Sequence, residues 1–233
     1  MRYTLLLLLV TLVMLMLVRR PQTPHFVTAH VINMDKSQDR LVEFQKGAAI
    51  AKIKVSRWAA VDGASIEEKD CNKYKIGRII HRYTRSTKQP GVIGCFMSHR
   101  ALLNHLRTLP CDGNDSHLVF EDDALIPANF WEQWEEISKE LPYEWDYIQF
   151  GVTYPNIKKV RGRVHVHSRD MGNMGTFSYA VRHRSLGKIC RHIEYMNDPI
   201  DGMIAAKGSE WKIYVIWPEL CPHNDQSAST IRT

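Results

Sequence analysis

The chain of 233 residues is 44% hydrophobic and 24% charged, with a net charge of +6, proportions that suit one globular domain with a sizeable core. It shows no internal repeat or low-complexity tract. No G-x-G-x-x-G follows the first predicted strand and no G-x-x-x-x-G-K-[ST] occurs, which argues against a dinucleotide enzyme and a P-loop NTPase. The five cysteines form no C-x-x-C pair, which disfavours a zinc cluster and leaves at least one thiol unpaired.

Tyr3 to Val18 is an apolar run of 16 residues, interrupted only by Thr4 and Thr11 and flanked by Arg2 and Arg19-Arg20. It falls a little short of the ~20 residues of a full span and lacks a small-x-small cleavage site after it. Residues 1–20 therefore read as an uncleaved signal-anchor, with the cleaved signal as alternative. Residues 21–25 are a short stem, and 26–233 form a single domain. On this reading the protein is membrane-anchored, facing the lumen of the secretory pathway (endoplasmic reticulum or Golgi) in a eukaryotic or viral setting. The sequon Asn114-Asp115-Ser116 is usable only if its loop is lumenal.

Phe26 to Asn33 is a predicted first strand. Leu41, Phe44, Ala48 and Ala49 at near-helical spacing predict a helix over 35–50, with Ser37 as a candidate cap. Ile53 to Ala60 is a second strand ending at the Asp62-Gly63 turn, and Ser65-Ile66-Glu67-Glu68 fits a capping box. From Cys71 to Cys111 the chain has eight lysines and arginines and no acid, so the remainder sums to −2. Such a basic stretch suits an anionic ligand, a phosphate-bearing small molecule as well as a nucleic acid, or else a solvated loop. A helix over 93–109 follows. His99 near its start reads as structural, as lone helical histidines usually are.

The most informative stretch is His117 to Asp123, H-L-V-F-E-D-D. An apolar, strand-forming run that ends in three carboxylates places those carboxylates at the end of a buried strand, where α/β sheets open onto ligand crevices. In an extended backbone Glu121 and Asp123 share a face and Asp122 points away. The pair supplies hard oxygen ligands suited to Mg²⁺ or Mn²⁺; an acidic solvated turn is the alternative. Pro127 opens an amphipathic helix to Leu141, whose Trp131 and Trp134 read as core rather than as a sugar platform. Further strands are predicted over 145–150, 176–181 and 211–217, a hairpin arm over 160–169, and a helix over 184–196. The loop Asn197-Asp198-Pro199-Ile200-Asp201 introduces one more short helix. Strands alternating with helices predict an α/β domain with a mainly parallel central sheet.

Several segments, in order, resemble glycosyltransferase family 25: V-I-N-M-D-K-S-Q-D-R (31–40), A-A-V-D-G (59–63), G-V-I-G-C-F-M-S-H (91–99), V-F-E-D-D-A (119–124), G-T-F-S-Y (175–179), D-P-I-D (198–201) and P-E-L-C-P-H (218–223) with Gln226 and Ser227. Val92 departs from the pattern, where many members have Glu. The resemblance implies a GT-A-like, Rossmann-related fold. It also implies inverting transfer of a hexose, often galactose from UDP-galactose, to a glycan or glycoprotein hydroxyl, with Mn²⁺ or Mg²⁺, and no nucleic-acid partner. Carried onto this chain, it makes Asp123, Glu121 and His223 the metal ligands, with His223 otherwise a surface tail residue. Asn33, Arg40, Asp62, Glu121 and Asp122 become contacts to the nucleotide. Inversion requires a base for the acceptor proton. Asp201 is that candidate and Asp198 the reserve, with an N-cap as the plain alternative for Asp198. A metal-dependent phosphoesterase and a non-catalytic, membrane-tethered glycan-binding relative are the competing readings.

Overall fold

The structure is a computed structural model that describes residues 24–87, 89–153, 155–168 and 175–224. The predicted anchor over 1–20, and Gln226 and Ser227 of the tail, lie outside the described residues. No helix among those described is long and apolar enough to cross a membrane.

The elements in chain order are β1 (Phe26–Asn33), α1 (Gln38–Ile50), β2 (Ser56–Ala59), α2 (Cys71–Tyr74), α3 (Arg78–Ser86), α4 (Gly91–Leu106), β3 (Ser116–Glu121), α5 (Phe130–Glu140), β4 (Tyr147–Gln149), β5 (Ile157–Arg161), β6 (Val164–His167), β7 (Ser178–Arg182), α6 (His183–His192), α7 (Ile200–Ala205) and β8 (Ile213–Ile216). The strands form one sheet in the order β2-β1-β3-β7-β4-β8-β6-β5. Only β1–β2, β1–β3 and β4–β8 pair in parallel, whereas β3–β7, β4–β7, β6–β8 and β5–β6 are antiparallel. The sheet is therefore mixed, a correction to the expected mainly parallel arrangement. A parallel sheet needs a crossover before every strand. Here β7 enters between β3 and β4 in the opposite direction, and the β5–β6 arm joins the sheet through β8.

Alternation along the central strands builds two cores. Val31, Leu118, Phe120 and Ala180 face one layer, where Leu41 and Phe44 of α1 meet Phe130, Trp134 and Ile137 of α5. Ile32, Val119, Tyr179 and Val181 face the other, against Ile93, Phe96 and Leu103 of α4 and Leu186 and Ile189 of α6. Both faces of the central strands are covered, so the domain is a three-layer α/β/α sandwich. Trp134 is core as expected, but Trp131 is 42% exposed. The predicted capping box lies two residues further on, where Glu67 and Asp70 make the reciprocal bonds. All five cysteines are free.

Asp146 ties three elements together beside β4. Its carboxylate accepts from Ser185 Oγ of α6 at 2.6 Å and from the Lys212 amide at 2.9 Å, and it pairs with Lys188 Nζ at 2.5 Å. Burial pushes this acid upward, but Lys188, Ser185 and the Lys212 N–H outweigh it and hold the carboxyl below its ordinary 3.8. A depressed folded-state value adds stability that is full above the unfolded value and fades as pH falls through the folded one. The Asp146→Asn variant should thus unfold about 2–3 kcal/mol more easily at pH 7, with the deficit shrinking below pH ~4. Urea melts at both pH values measure this; an unchanged deficit at low pH contradicts it.

Candidate active site

β1 and β3 are parallel neighbours, so Asn33 and the acidic end of β3 emerge at the same edge of the sheet. A cavity of about 490 Å³ opens there, and Arg40, Asp62, Glu121, Asp122, Asp123, Asp201 and His223 all line it. Asn33 is buried just behind, with its amide donating to Asp122 Oδ2 at 2.6 Å and to the Ser37 carbonyl at 2.8 Å.

The expected pairing of the three carboxylates is corrected. β3 stops at Glu121 and the chain turns, with the Ala124 amide donating back to the Glu121 carbonyl at 3.1 Å. Alternation ends with the strand, so Asp122 and Asp123 act together. Arg40, in the first turn of α1, pairs with Asp122 and reaches Asp123 Oδ2 at 2.7 Å. Glu121 turns the other way, where its Oε1 meets His99 Nε2 at 3.1 Å and accepts from Thr176 Oγ1 at 2.7 Å.

His223 reaches the cavity because the tail is zipped to the segment after β3. The Leu125 amide donates to the Pro222 carbonyl, and the Asn224 amide to the Asp123 carbonyl, each at 2.8 Å. This antiparallel bridge sets His223 Nε2 at 3.4 Å from Asp123 Oδ2 and packs its ring against Phe177. The environments drive the adjacent acids apart. Burial pushes Asp122 up to about 6, against the pull of Asn33 and Arg40. Burial also opposes the charge on Asp123, but His223 and Arg40 prevail and hold it below its usual value. Such divergence between neighbouring carboxyls is common at functional sites.

Asp62 caps the short 3₁₀ turn Gly63–Ser65, accepting from the Ala64 amide at 3.0 Å. Asp201 sits in the first turn of α7, where its oxygens accept from the Gly175 amide at 3.1 Å and the Gly202 amide at 2.9 Å. The cap of α7 is Pro199, so Asp198 does not serve as the predicted N-cap. Asp198 is raised by burial and by Asp201.

Sequence reasoning missed the far wall. His99 bridges Glu121 and the Tyr179 hydroxyl, at 3.1 and 3.0 Å, and Cys95, His99 and Glu121 lie close enough to share an ion. The available signal was the S-H pair closing the 91–99 segment, set aside as a structural helical histidine. Burial pushes the Cys95 thiol up, which disfavours the nucleophilic thiolate. The basic stretch largely serves the fold. Arg85 donates to the Ala64 and Ile66 carbonyls, Arg82 pairs with Glu68, Lys75 with Glu194, and Arg100 caps the Tyr74 carbonyl. Among the described residues, the basic side chains lining the cavity are Lys36 and Arg40.

Two glycines let the Asp62 turn approach α4. A Cβ on Gly94 would lie 2.5 Å from the Val61 carbonyl, and one on Gly63 2.0 Å from the Pro90 carbonyl. Gly94→Ala should cost about 1–3 kcal/mol and lower Tm by roughly 3–10 °C. A thermal melt unchanged within error would refute the close crossing.

Residues 26–204 match the model of glycosyltransferase family 25 (LPS biosynthesis protein), which spans most of the chain. The chain belongs to glycosyltransferase family 25. Among curated proteins, none matches it. As a family 25 glycosyltransferase it acts on a nucleotide-sugar donor and a glycan acceptor. The matched region contains the β1 and β3 ends, the His99 wall and Asp201, while His223 lies beyond it.

Proposed function

We propose that this glycosyltransferase moves a hexose, galactose from UDP-galactose, to a glycan or glycoprotein hydroxyl with inversion and with the help of Mn²⁺ or Mg²⁺. The observation that carries the reading is the convergence of Asp122, Asp123, Arg40, His223 and Asp201 on one cavity. The donor set suits such a cation. Asp123 Oδ1 is buried with no hydrogen-bond partner among the described residues, and carboxylate plus imidazole is chemistry that Mn²⁺ accepts. Asp123 and His223 would hold the ion, while Glu121, turned towards His99 and Thr176, would shape the opposite wall of the cavity. When bound, it acts as a Lewis acid that neutralises the charge developing on the departing diphosphate.

The chain's own groups supply the rest. Arg40 adds a fixed positive charge beside the diphosphate, and Asp62 and Asp122 orient the nucleotide at the strand ends, with Asn33 behind them holding Asp122 in place. Asp201, held by two backbone amides, takes the acceptor proton as the hydroxyl oxygen attacks the anomeric carbon. The cavity walls keep the acceptor in line and limit water, which would otherwise intercept the cation-like sugar carbon. The signal-anchor segment over 1–20 would tether the domain to a membrane of the secretory pathway.

The test is to incubate the protein with a panel of nucleotide sugars and Mn²⁺, with and without acceptor, and to quantify the released nucleotide. Release of UDP from a UDP-hexose supports the reading. Release of inorganic phosphate would point to a phosphoesterase, and saccharide binding with no UDP release to a non-catalytic relative.

A further inference from the structure

At the opposite end of β3 a second set of ligating groups converges. His117 is the second residue of β3, and His183 opens α6 directly after β7. Because β3 and β7 pair antiparallel, with His117 opposite Val181, the start of one strand meets the end of the other. The turn that carries Cys111 is pinned over them. The His183 amide donates to the Asp115 carbonyl at 2.8 Å and the Arg184 amide to the Gly113 carbonyl at 3.1 Å. Cys111 Sγ and one nitrogen from each ring consequently lie within 4.8 Å of one another. His117 is four residues from Glu121, which at ~3.3 Å per residue puts the cluster roughly 13 Å from the acidic end of β3.

The two imidazole nitrogens, His117 Nε2 and His183 Nδ1, are 3.0 Å apart. Two nitrogens bound at ~2.0 Å to a tetrahedral ion stand about 3.3 Å apart, so the rings already approximate that spacing. The other nitrogen of His117 is engaged by Thr28 Oγ1 at 2.9 Å, the outer contact that fixes ring orientation in metal-bound histidines.

We propose that Cys111, His117 and His183 form a zinc-type site, taking one borderline-soft divalent cation with water in the fourth position. Binding releases the Cys111 thiol proton to solvent as the metal–sulfur bond forms. The hydrogen shared between the rings shifts to the outer nitrogen of the ring that carries it. The ion clasps the 111–115 turn to β3 and α6, and it stands apart from the transferase cation by position and by its sulfur ligand.

The whole protein, stripped with chelator and titrated with Co²⁺, provides the test. One equivalent should produce a thiolate-to-cobalt charge-transfer band in the near ultraviolet, and Zn²⁺ should bleach it. Saturating Zn²⁺ should also raise Tm by about 5–10 °C. The band should vanish in Cys111→Ser and weaken strongly in His183→Gln. It should persist in Asp123→Ala and in Cys95→Ser, which separates this site from the cavity. Absence of the band in the wild type, its survival in Cys111→Ser, or its loss in Cys95→Ser would each overturn the assignment. Should Cys111→Ser fail to fold, His183→Gln together with metal content per chain decides the matter.

Discussion

Asp123→Ala is expected to lower Mn²⁺-dependent transfer by about 10²–10³-fold or more, the scale on which a transition-state charge stabiliser acts, while the chain remains folded. The carboxylate is 11% exposed and lies between Arg40 and His223. Its removal does not strand Arg40, which keeps its ion pair with Asp122, so the usual penalty of an orphaned buried charge is avoided. Asp123→Asn keeps the volume and removes only the charge, and should fall nearly as far. Circular dichroism and thermal melts establish the fold, and UDP release against Mn²⁺ concentration establishes the activity. Full turnover with an ordinary metal response in either variant would refute the role.

The second large effect belongs to Asp201. Converting it to asparagine removes the proton acceptor but leaves an amide oxygen able to receive the Gly175 or Gly202 N–H. Turnover should drop about 10²–10⁴-fold, with donor affinity within a factor of a few. Asp198→Asn changes a neighbouring carboxyl that faces Gly202, and it should be mild by comparison. Equal losses in the two variants, or wild-type kcat in Asp201→Asn, would dismiss Asp201 as the base.

Much of this arrangement could be read before any coordinates. The apolar run 118–120 closed by acids reported a buried strand edge, because few other settings tolerate that juxtaposition. That Asn33 and Asp62 belong beside it came from the family resemblance, since local pattern marks them only as a strand end and a turn. Strand direction was harder, since β7 carries the same apolar pattern whichever way it runs, and only its neighbours decide that it lies antiparallel between β3 and β4. The division of labour among the three acids was hidden for a different reason. Period-two reasoning holds only while the strand lasts, and β3 ends at the first of them. His99 shows the remaining gap. Its burial between Glu121 and Tyr179 arises from contacts 22 and 80 residues away, which no local pattern encodes.

The placement of β8 has a consequence for how the molecule assembles. The chain lays down β4 and the β5–β6 arm well before β8, yet β8 is the strand that stands between them. Until it inserts, the arm has no sheet to join, and such distant pairing is slow to form. The segment that leaves β8 then carries His223 to the acidic turn. Joining the two halves of the sheet and furnishing the cavity with its imidazole are thus coupled in a single docking event, so partly folded chains should be catalytically silent rather than weakly active.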